Sequence, residues 1–520
     1  LKNTCQKGNW NIKNSVSRRF LPVFKDGLLM ARLLLSIADQ RLLANMKVIS
    51  LLSFLFLSAI TIKAQSRDTT TALILTDTSV IPTVDTSNRA TTIQWKMNSS
   101  PGYNKYGDLL SDDPAYNPKY SYWKPALRVL SADVFNWAVA RYLYKFDWAK
   151  VGSSDWKSNF KKGPEWDSDG FGINFIGHPH TGSFYYNVAR SNGYSYWGSL
   201  PFAIQGSLTW EYFGENTRPS YNDLINTPIS GAFLGEIFYR LSSNVLDDRT
   251  RGGERVFREI LAAAINPTRA LNRLTQGKMF RVTPKEVYQK EPLNITLSGG
   301  IHKVNDEINK DNLFGTGSTN AMLNIQFDYG DPFEKRHRKP FDVFRLRIEM
   351  SYGANRRLLD HVNGYGVLAG KNSEHGNLLA GLFQHYDYWR NNIFEVATLG
   401  FGAGIISRIP VARHSNLYSN AHLAVVPLAG NNTQFGPDTS EFRHYNFGGG
   451  LQAKLEETFN LNKWASIGFV GFYYWIHTYN GLPGNSLVGI FKPNISFRLF
   501  KNLNVGFEHH IYHNDRFLNG

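Results

Sequence analysis

Cysteine is almost absent. Of 520 residues only Cys5 carries a thiol, and it lies upstream of Met46, in a stretch that reads as outside the exported protein. The remainder is expected to hold no disulfide and no thiolate metal site. Long apolar runs are scarce too. After residue 62 no segment reaches the roughly 18 apolar residues of a transmembrane helix, which excludes a helical membrane protein. A transmembrane β-barrel is not excluded, because its strands alternate and conceal their apolar residues from a sliding window. A large excess of one charge is also missing once the ends are set aside. The chain carries +15. Residues 1–45 hold eight Lys/Arg and two Asp/Glu, and Lys47 and Lys63 flank the next segment, so the rest has 47 basic and 40 acidic residues, or +7. A nucleic-acid partner is not expected on that balance.

What is present begins at Met46. Met46-Lys47 precede an apolar run from Val48 to Ile62, and Lys63-Ala64-Gln65 follow. This is the pattern of a cleavable signal peptide over 46–64, too short for a membrane span of about 20 residues. Residues 1–45, which start with Leu1, read as upstream sequence from a mis-called start. The protein is therefore expected to be exported. Residues 65–123 are rich first in Thr and Ser and then in Tyr and Pro, the composition of a flexible linker.

From 124 to 280 the apolar period is helical. The strongest helices are expected over 202–215 and 229–242, and 254–264 reads as amphipathic. Gly231 and Gly235 sit four apart, a spacing that lets two helix backbones approach closely. Asn266-Pro267 reads as a cap followed by a first-turn proline. From 290 to 520 the period switches to two. Leu323, Ile325, Phe327 and Tyr329 alternate with Asn324, Gln326 and Asp328; Leu503, Val505 and Phe507 alternate with Asn504 and Glu508. About eleven such segments occur, many of barrel-strand length. Aromatic residues crowd their ends (Tyr386, Tyr388, Trp389; Tyr473, Tyr474, Trp475), as in the girdles at membrane interfaces. A soluble sandwich also alternates, but strand number, leader and charged strand faces favour the barrel. The expected fold is α+β: an N-terminal helical region, periplasmic or plugging the barrel, then an antiparallel transmembrane β-barrel of about 12 strands. Because Asn519-Gly520 is a hairpin signal, the sequence is expected to stop one strand short.

The helical region carries several spaced motifs in order: Trp166-Asp167-Ser168-Asp169-Gly170-Phe171, then Asn174, His178-Pro179-His180-Thr181-Gly182-Ser183, Gly206-Ser207-Leu208-Thr209-Trp210-Glu211, Pro219-Ser220-Tyr221-Asn222-Asp223, Gly231 with Gly235-Glu236, and Tyr239-Arg240-Leu241-Ser242. Over about 166–278 the chain resembles an uncharacterised domain-of-unknown-function family of Gram-negative outer-membrane proteins. The resemblance implies an envelope location and an outer-membrane barrel. It implies no activity and transfers no catalytic residue.

Chemistry must be argued from the residues. Ser207, Glu211 and Glu215 are spaced by four and share a helix face. Paired carboxylates at that spacing suit acid–base work or a cation, with His178 or His180 beside them. Yet Glu236 and Arg240, also four apart, show that such spacings serve helix ion pairs equally well. His178 and His180 flank Pro179 in a segment expected to be extended. Ser183, three residues after His180, would be the nucleophile of a serine hydrolase, although no nucleophile elbow is present. The candidate catalytic set is thus His178, His180, Ser183, Glu211 and Glu215. No metal is assigned and no cofactor follows.

Arg255, Arg258, Arg269 and Arg273 form basic faces opposite Phe257, Ile260, Leu261, Ala264, Leu271 and Leu274. They would meet lipid phosphates or form a solvated face over a packed one. Arg345, Arg347, Glu349, His385, Asp387, Lys454, Glu456, Glu508 and His510 fall on the polar side of their strands and would line the lumen. The function expected is an outer-membrane barrel with a structural, transport or envelope-maintenance role. The alternative is an envelope lipid-acting hydrolase, so enzymatic activity stays open. Outer-membrane lipid and the barrel-assembly machinery are the expected partners.

Overall fold

A computed structural model of the chain describes residues 121–284, 286–303, 319–353, 358–391, 394–432 and 444–518. The expected upstream segment, leader, nearly all of the linker and the Asn-Gly terminus lie outside the described residues. Every described residue belongs to one compact unit, within Met46–Gly520.

The helical region comes first, as expected. It comprises α1 (Trp123–Ala138), α2 (Ser153–Lys162), α3 (His178–Arg190), α4 (Tyr196–Thr209), α5 (Tyr221–Val245), α6 (Gly252–Ile265) and α7 (Pro267–Thr275). Three π-helical turns, Val139–Leu143, Ile173–Gly177 and Trp210–Gly214, adjoin α1, α3 and α4. Asn266 caps α7: its side chain accepts from the Arg269 N–H, with Pro267 in the first turn. At that position proline loses no helical hydrogen bond and its fixed φ suits the helix.

One local expectation is corrected. His178-Pro179-His180 is not extended; it opens α3, with Pro179 in the first turn. Helical backbone already runs through Gly177 into α3, so the donor that Pro179 lacks is replaced: the Asn174 and Phe175 carbonyls one turn back accept from Asn226 and the Tyr386 hydroxyl.

The centre of the helical region is the crossing of α3 and α5. A Cβ on Gly182 would overlap the Thr227 carbonyl oxygen, and one on Gly231 would overlap the Gly182 backbone. The two backbones touch there because neither residue has a side chain. Gly235 does the same beneath the Tyr186 ring. Beside the crossing, Glu236 is wholly buried and is held by three partners: Arg190 Nε at 2.7 Å, Arg240 Nε at 2.8 Å and the Tyr186 hydroxyl at 2.7 Å. Burial pushes the Glu236 carboxyl up, but Arg190 and Arg240 outweigh it and hold it down at about 2.

The second half is a twelve-stranded antiparallel sheet in sequence order. Its strands are β1 (Leu293–Lys303), β2 (Thr319–Tyr329), β3 (Phe344–Gly353), β4 (Leu359–Asn372), β5 (Leu378–Arg390), β6 (Glu395–Ala412), β7 (Ser415–Asn432), β8 (Asn446–Leu461), β9 (Ala465–Asn480), β10 (Gly484–Phe500), β11 (Leu503–Glu508) and β12 (Ile511–Leu518). Both β11 and β12 pair with β10, β11 along its second half and β12 along its first. They are two pieces of one edge strand, bridged by the His509 N–H to the Pro493 carbonyl at 3.0 Å. The sheet curls into a half-barrel. The His302 ring of β1 comes within 5.2 Å of His510, between β11 and β12, but among the described residues no ladder joins β1 to β11 or β12.

The curl has an inside and an outside, fixed by the two-residue period. In β8, Gln452, Lys454 and Glu456 are buried while Leu451 and Leu455 are exposed; in β7, His422 is buried while Leu423 and Val425 are 63% and 60% exposed. In these two strands polar side chains face in and apolar ones face out, the reverse of a water-soluble sheet, while β9 and β10 turn Phe472, Ile476, Val488 and Ile490 inward.

The helices pack against the face of β3–β5 opposite Arg345, Arg347, His385 and Asp387, on Phe344, Leu346, Gln384 and Tyr386. Phe233 of α5 meets Phe341 at 5.4 Å and Tyr386 at 5.7 Å. Gln384 of β5 donates to the Ile229 carbonyl at 3.0 Å and accepts from the Tyr196 hydroxyl at 2.6 Å. Arg240 reaches Asp342, in the loop before β3, at 3.0 Å. Helical region and sheet thus share one core.

Candidate functional site

The most unusual polar cluster lies where the start of α3 meets the start of α5. Asp167 and Asp169 come from the loop ahead of α3, His178 from its first residue, and Asp223 from the first turn of α5. His178 Nε2 lies 3.0 Å from an Asp223 carboxylate oxygen and 3.9 Å from one of Asp169. Its Nδ1 lies 3.1 Å from the Thr227 hydroxyl. Asp167, His178 and Asp223 each present one metal-ligating atom, all within 4.8 Å of one another. His178 and Asp223 form a buried floor; Asp167 is half-buried and the Asp169 side chain is 30% exposed.

Three asparagines hold this arrangement. Asn174 donates to Asp167 Oδ1 at 2.8 Å and to the Tyr445 hydroxyl at 2.5 Å. Asn222 donates to Asp223 Oδ1 at 3.1 Å and to Asn174 Oδ1 at 3.2 Å. Asn226 donates to the Asn174 carbonyl at 2.5 Å. Because Tyr445 precedes β8, the cluster is tied to the sheet as well. Burial, then the neighbouring Asp223 and Asp169 carboxylates, push the Asp167 carboxyl well above its ordinary range.

The candidate catalytic residues do not converge. On a helix, positions two apart point to different sides, so His180 leaves the Asp cluster and packs at 4.6 Å on the Phe184 ring. Burial pulls its imidazole down to about 4, so it is neutral at pH 7. Ser183 donates its hydroxyl to the His180 carbonyl at 2.6 Å, within its own helix. Glu211 accepts from the Ser220 backbone N–H at 2.9 Å, and Glu215 from Trp210 Nε1 at 2.6 Å.

The four arginines proposed for lipid phosphate are engaged inside the protein. Arg255 meets Asp248 at 3.0 Å and Glu259 at 2.9 Å. Arg258 pairs with Glu254 at 2.9 Å. Arg269 donates to the Tyr239 carbonyl and to Ser242 and Ser243. Arg273 pairs with Glu259 at 2.6 Å and Asp248 at 3.0 Å. The exposed side of α6 and α7 is instead the apolar one: Val256, Phe257, Ile260, Leu271 and Leu274.

The lumen residues do come together on the concave face. Arg345 and Arg347 of β3 cross to Glu456 of β8, at 2.5 and 2.9 Å. Lys454 pairs with Asp387 at 2.7 Å, Lys492 lies 3.8 Å from Glu349, and His385 stacks edge-on to His422 at 4.9 Å. His510 meets Glu508 at 2.5 Å. The space left beside Arg345, Tyr365, His422, Lys454 and Glu456 is about 10 Å³, no more than one water needs.

Asp167, Asp169, Asp223 and Thr227 were not among the sequence candidates. Their signal was present: an Asp-x-Asp shortly before a helix-opening His-Pro, and an Asn-Asp pair at the next helix start. Only the α3–α5 crossing reveals that these segments meet. Residues 163–268 match the family model of a domain of unknown function, DUF3943. The match contains the whole Asp/His/Asn cluster and the α3–α5 crossing. No curated protein and no solved structure matches the chain.

Proposed function

We propose that this protein is an outer-membrane barrel that anchors the DUF3943 helical region in the envelope and does not conduct solutes. The observation that carries the reading is the outer face of β7–β9, where Leu423, Val425, Leu451, Leu455 and Trp475 are exposed while His422, Gln452, Lys454 and Glu456 behind them are buried. That pattern suits lipid outside and a polar interior. The Met46 leader supports export, and outer-membrane lipid and the barrel-assembly machinery are the partners this location requires.

Within the barrel class, a sealed anchor is favoured over a channel. Glu456 spans the interior to Arg345 and Arg347, and the space left beside Arg345, Glu456, His422 and Lys454 is about 10 Å³. A serine hydrolase gains no support from Ser183, whose hydroxyl is bonded to the backbone of its own helix.

The test combines gel mobility before and after boiling, membrane fractionation and planar-bilayer recording. A sealed barrel shifts mobility on boiling, fractionates with the outer membrane and gives no stable conductance steps. Reproducible ion-selective steps would replace the anchor with a channel. A soluble periplasmic protein with unshifted mobility would overturn the barrel itself.

A further inference from the structure

We propose that Asp167, His178 and Asp223 bind a first-row divalent metal ion, with Asp169 at the mouth of the site. The inference rests on the helical region alone and survives or fails separately from the membrane reading.

Three features carry it. First, the ligand chemistry is mixed and convergent. One imidazole nitrogen and two carboxylate oxygens lie within 4.8 Å of one another, and modest side-chain rotations would bring them to the roughly 2.0–2.2 Å that zinc or its neighbours require. Nitrogen with carboxylate, without sulfur, suits zinc, manganese or iron(II) better than calcium, which takes oxygen alone.

Second, the ligands are aimed. The His178 side chain is only 3% exposed. Thr227 engages its Nδ1, so Nε2 is the nitrogen turned into the carboxylates. Asn174 holds Asp167 and Asn222 holds Asp223. Such outer hydrogen bonds orient metal ligands and are part of a working site.

Third, carboxylates crowd at one point. At the α3–α5 junction carboxylate oxygens of Asp223 and Asp169 lie 3.0 and 3.9 Å from one imidazole nitrogen, and Asp167 adds its carboxyl to the same point. A divalent cation would relieve this crowding. The Asp169 side offers access from solvent, with His178 and Asp223 below.

The experiment uses the purified full chain in detergent, stripped with chelator, incubated with zinc and passed over a desalting column. Metal is counted by mass spectrometry, and melting is followed by circular dichroism with zinc, calcium or magnesium. Wild type is expected to retain one zinc per chain and to melt several degrees higher with zinc, and not with calcium or magnesium. Asp167→Asn and His178→Gln should each abolish retention and the shift, with the helical and strand signals unchanged. No zinc retained by folded wild type overturns the proposal. So does equal retention by folded variants, which would put the ion elsewhere, for example on Cys5 or the barrel histidines. If both variants misfold, the wild-type melting shift decides: without a zinc-specific rise, the site is a hydrogen-bonded polar junction only.

Discussion

At the residue scale, the helical region is held by charges that water does not reach. Glu236 is the centre of one such set. Replacing it with Gln keeps the shape and removes the charge that Arg190 and Arg240 share. Breaking a buried pair in this way costs about 3–5 kcal/mol, so Glu236→Gln should lower the denaturation midpoint well beyond an ordinary surface change. The pH dependence follows from its depressed carboxyl. The stability contributed by Glu236 is complete above its ordinary value of 4.5 and disappears as pH falls toward about 2. Acid titration of wild type against the variant should show that loss in wild type only. Asp133 behaves oppositely. Burial raises its carboxyl to about 8, the Tyr185 hydroxyl offsetting only part of the shift. The folded protein then holds a proton that the unfolded chain releases near 3.8, so this residue subtracts stability as pH rises from 3.8 to about 8. Asp133→Asn retains an acceptor for Tyr185 and cannot titrate. It should match wild type at pH 4 and melt higher at pH 9.

At the scale of elements, the α3–α5 crossing makes the sharpest demand on sequence. Gly182→Ala forces a methyl into the Thr227 carbonyl. The helices must separate, at a cost of about 1–3 kcal/mol, and because Thr227 and His178 sit on the two helices, zinc retention should weaken as well. Thermal melts and metal counting on the same sample would check both. This crossing was partly legible: Gly231 and Gly235 announced close packing, but nothing in the chain named Gly182 as the partner. The strands were legible almost throughout, because a two-residue period survives any tertiary context. The helix faces were not. For α6 and α7 the arginines were expected on the outer side, and Arg269 and Arg273 are buried with Glu259, Asp248 and Ser242 while Phe257 and Leu271 are exposed. Periodicity gives the two faces of a helix and does not say which one faces in. The Asp cluster was missed for a related reason: its ligands are 56 residues apart, from Asp167 to Asp223, and only packing joins them.

At the scale of the whole molecule, one substitution separates lipid from water as the surroundings of the sheet. Leu423 is 63% exposed on the outer face of β7. In water Leu423→Arg would be nearly neutral. Near the middle of a bilayer it would cost about 2–4 kcal/mol. Refolding the variant into lipid vesicles and titrating with urea should reveal that loss, and an unchanged midpoint would argue for a soluble sheet. The interior gives the converse expectation. Gln452, buried on the adjacent strand and accepting from Thr398 at 2.8 Å, should tolerate Gln452→Glu less well than a water-filled channel wall would.

The outward apolar row on each strand also governs the chain before it has folded. In water those rows are adhesive, and hydrophobic collapse would draw them together and turn the lysines and glutamates outward, producing a sheet inside out with respect to its final state. If the chain is exported to an outer membrane as proposed, a new copy has a short useful lifetime between one membrane and the next. Its yield in the cell should depend less on its final stability than on how quickly an escort takes hold of it.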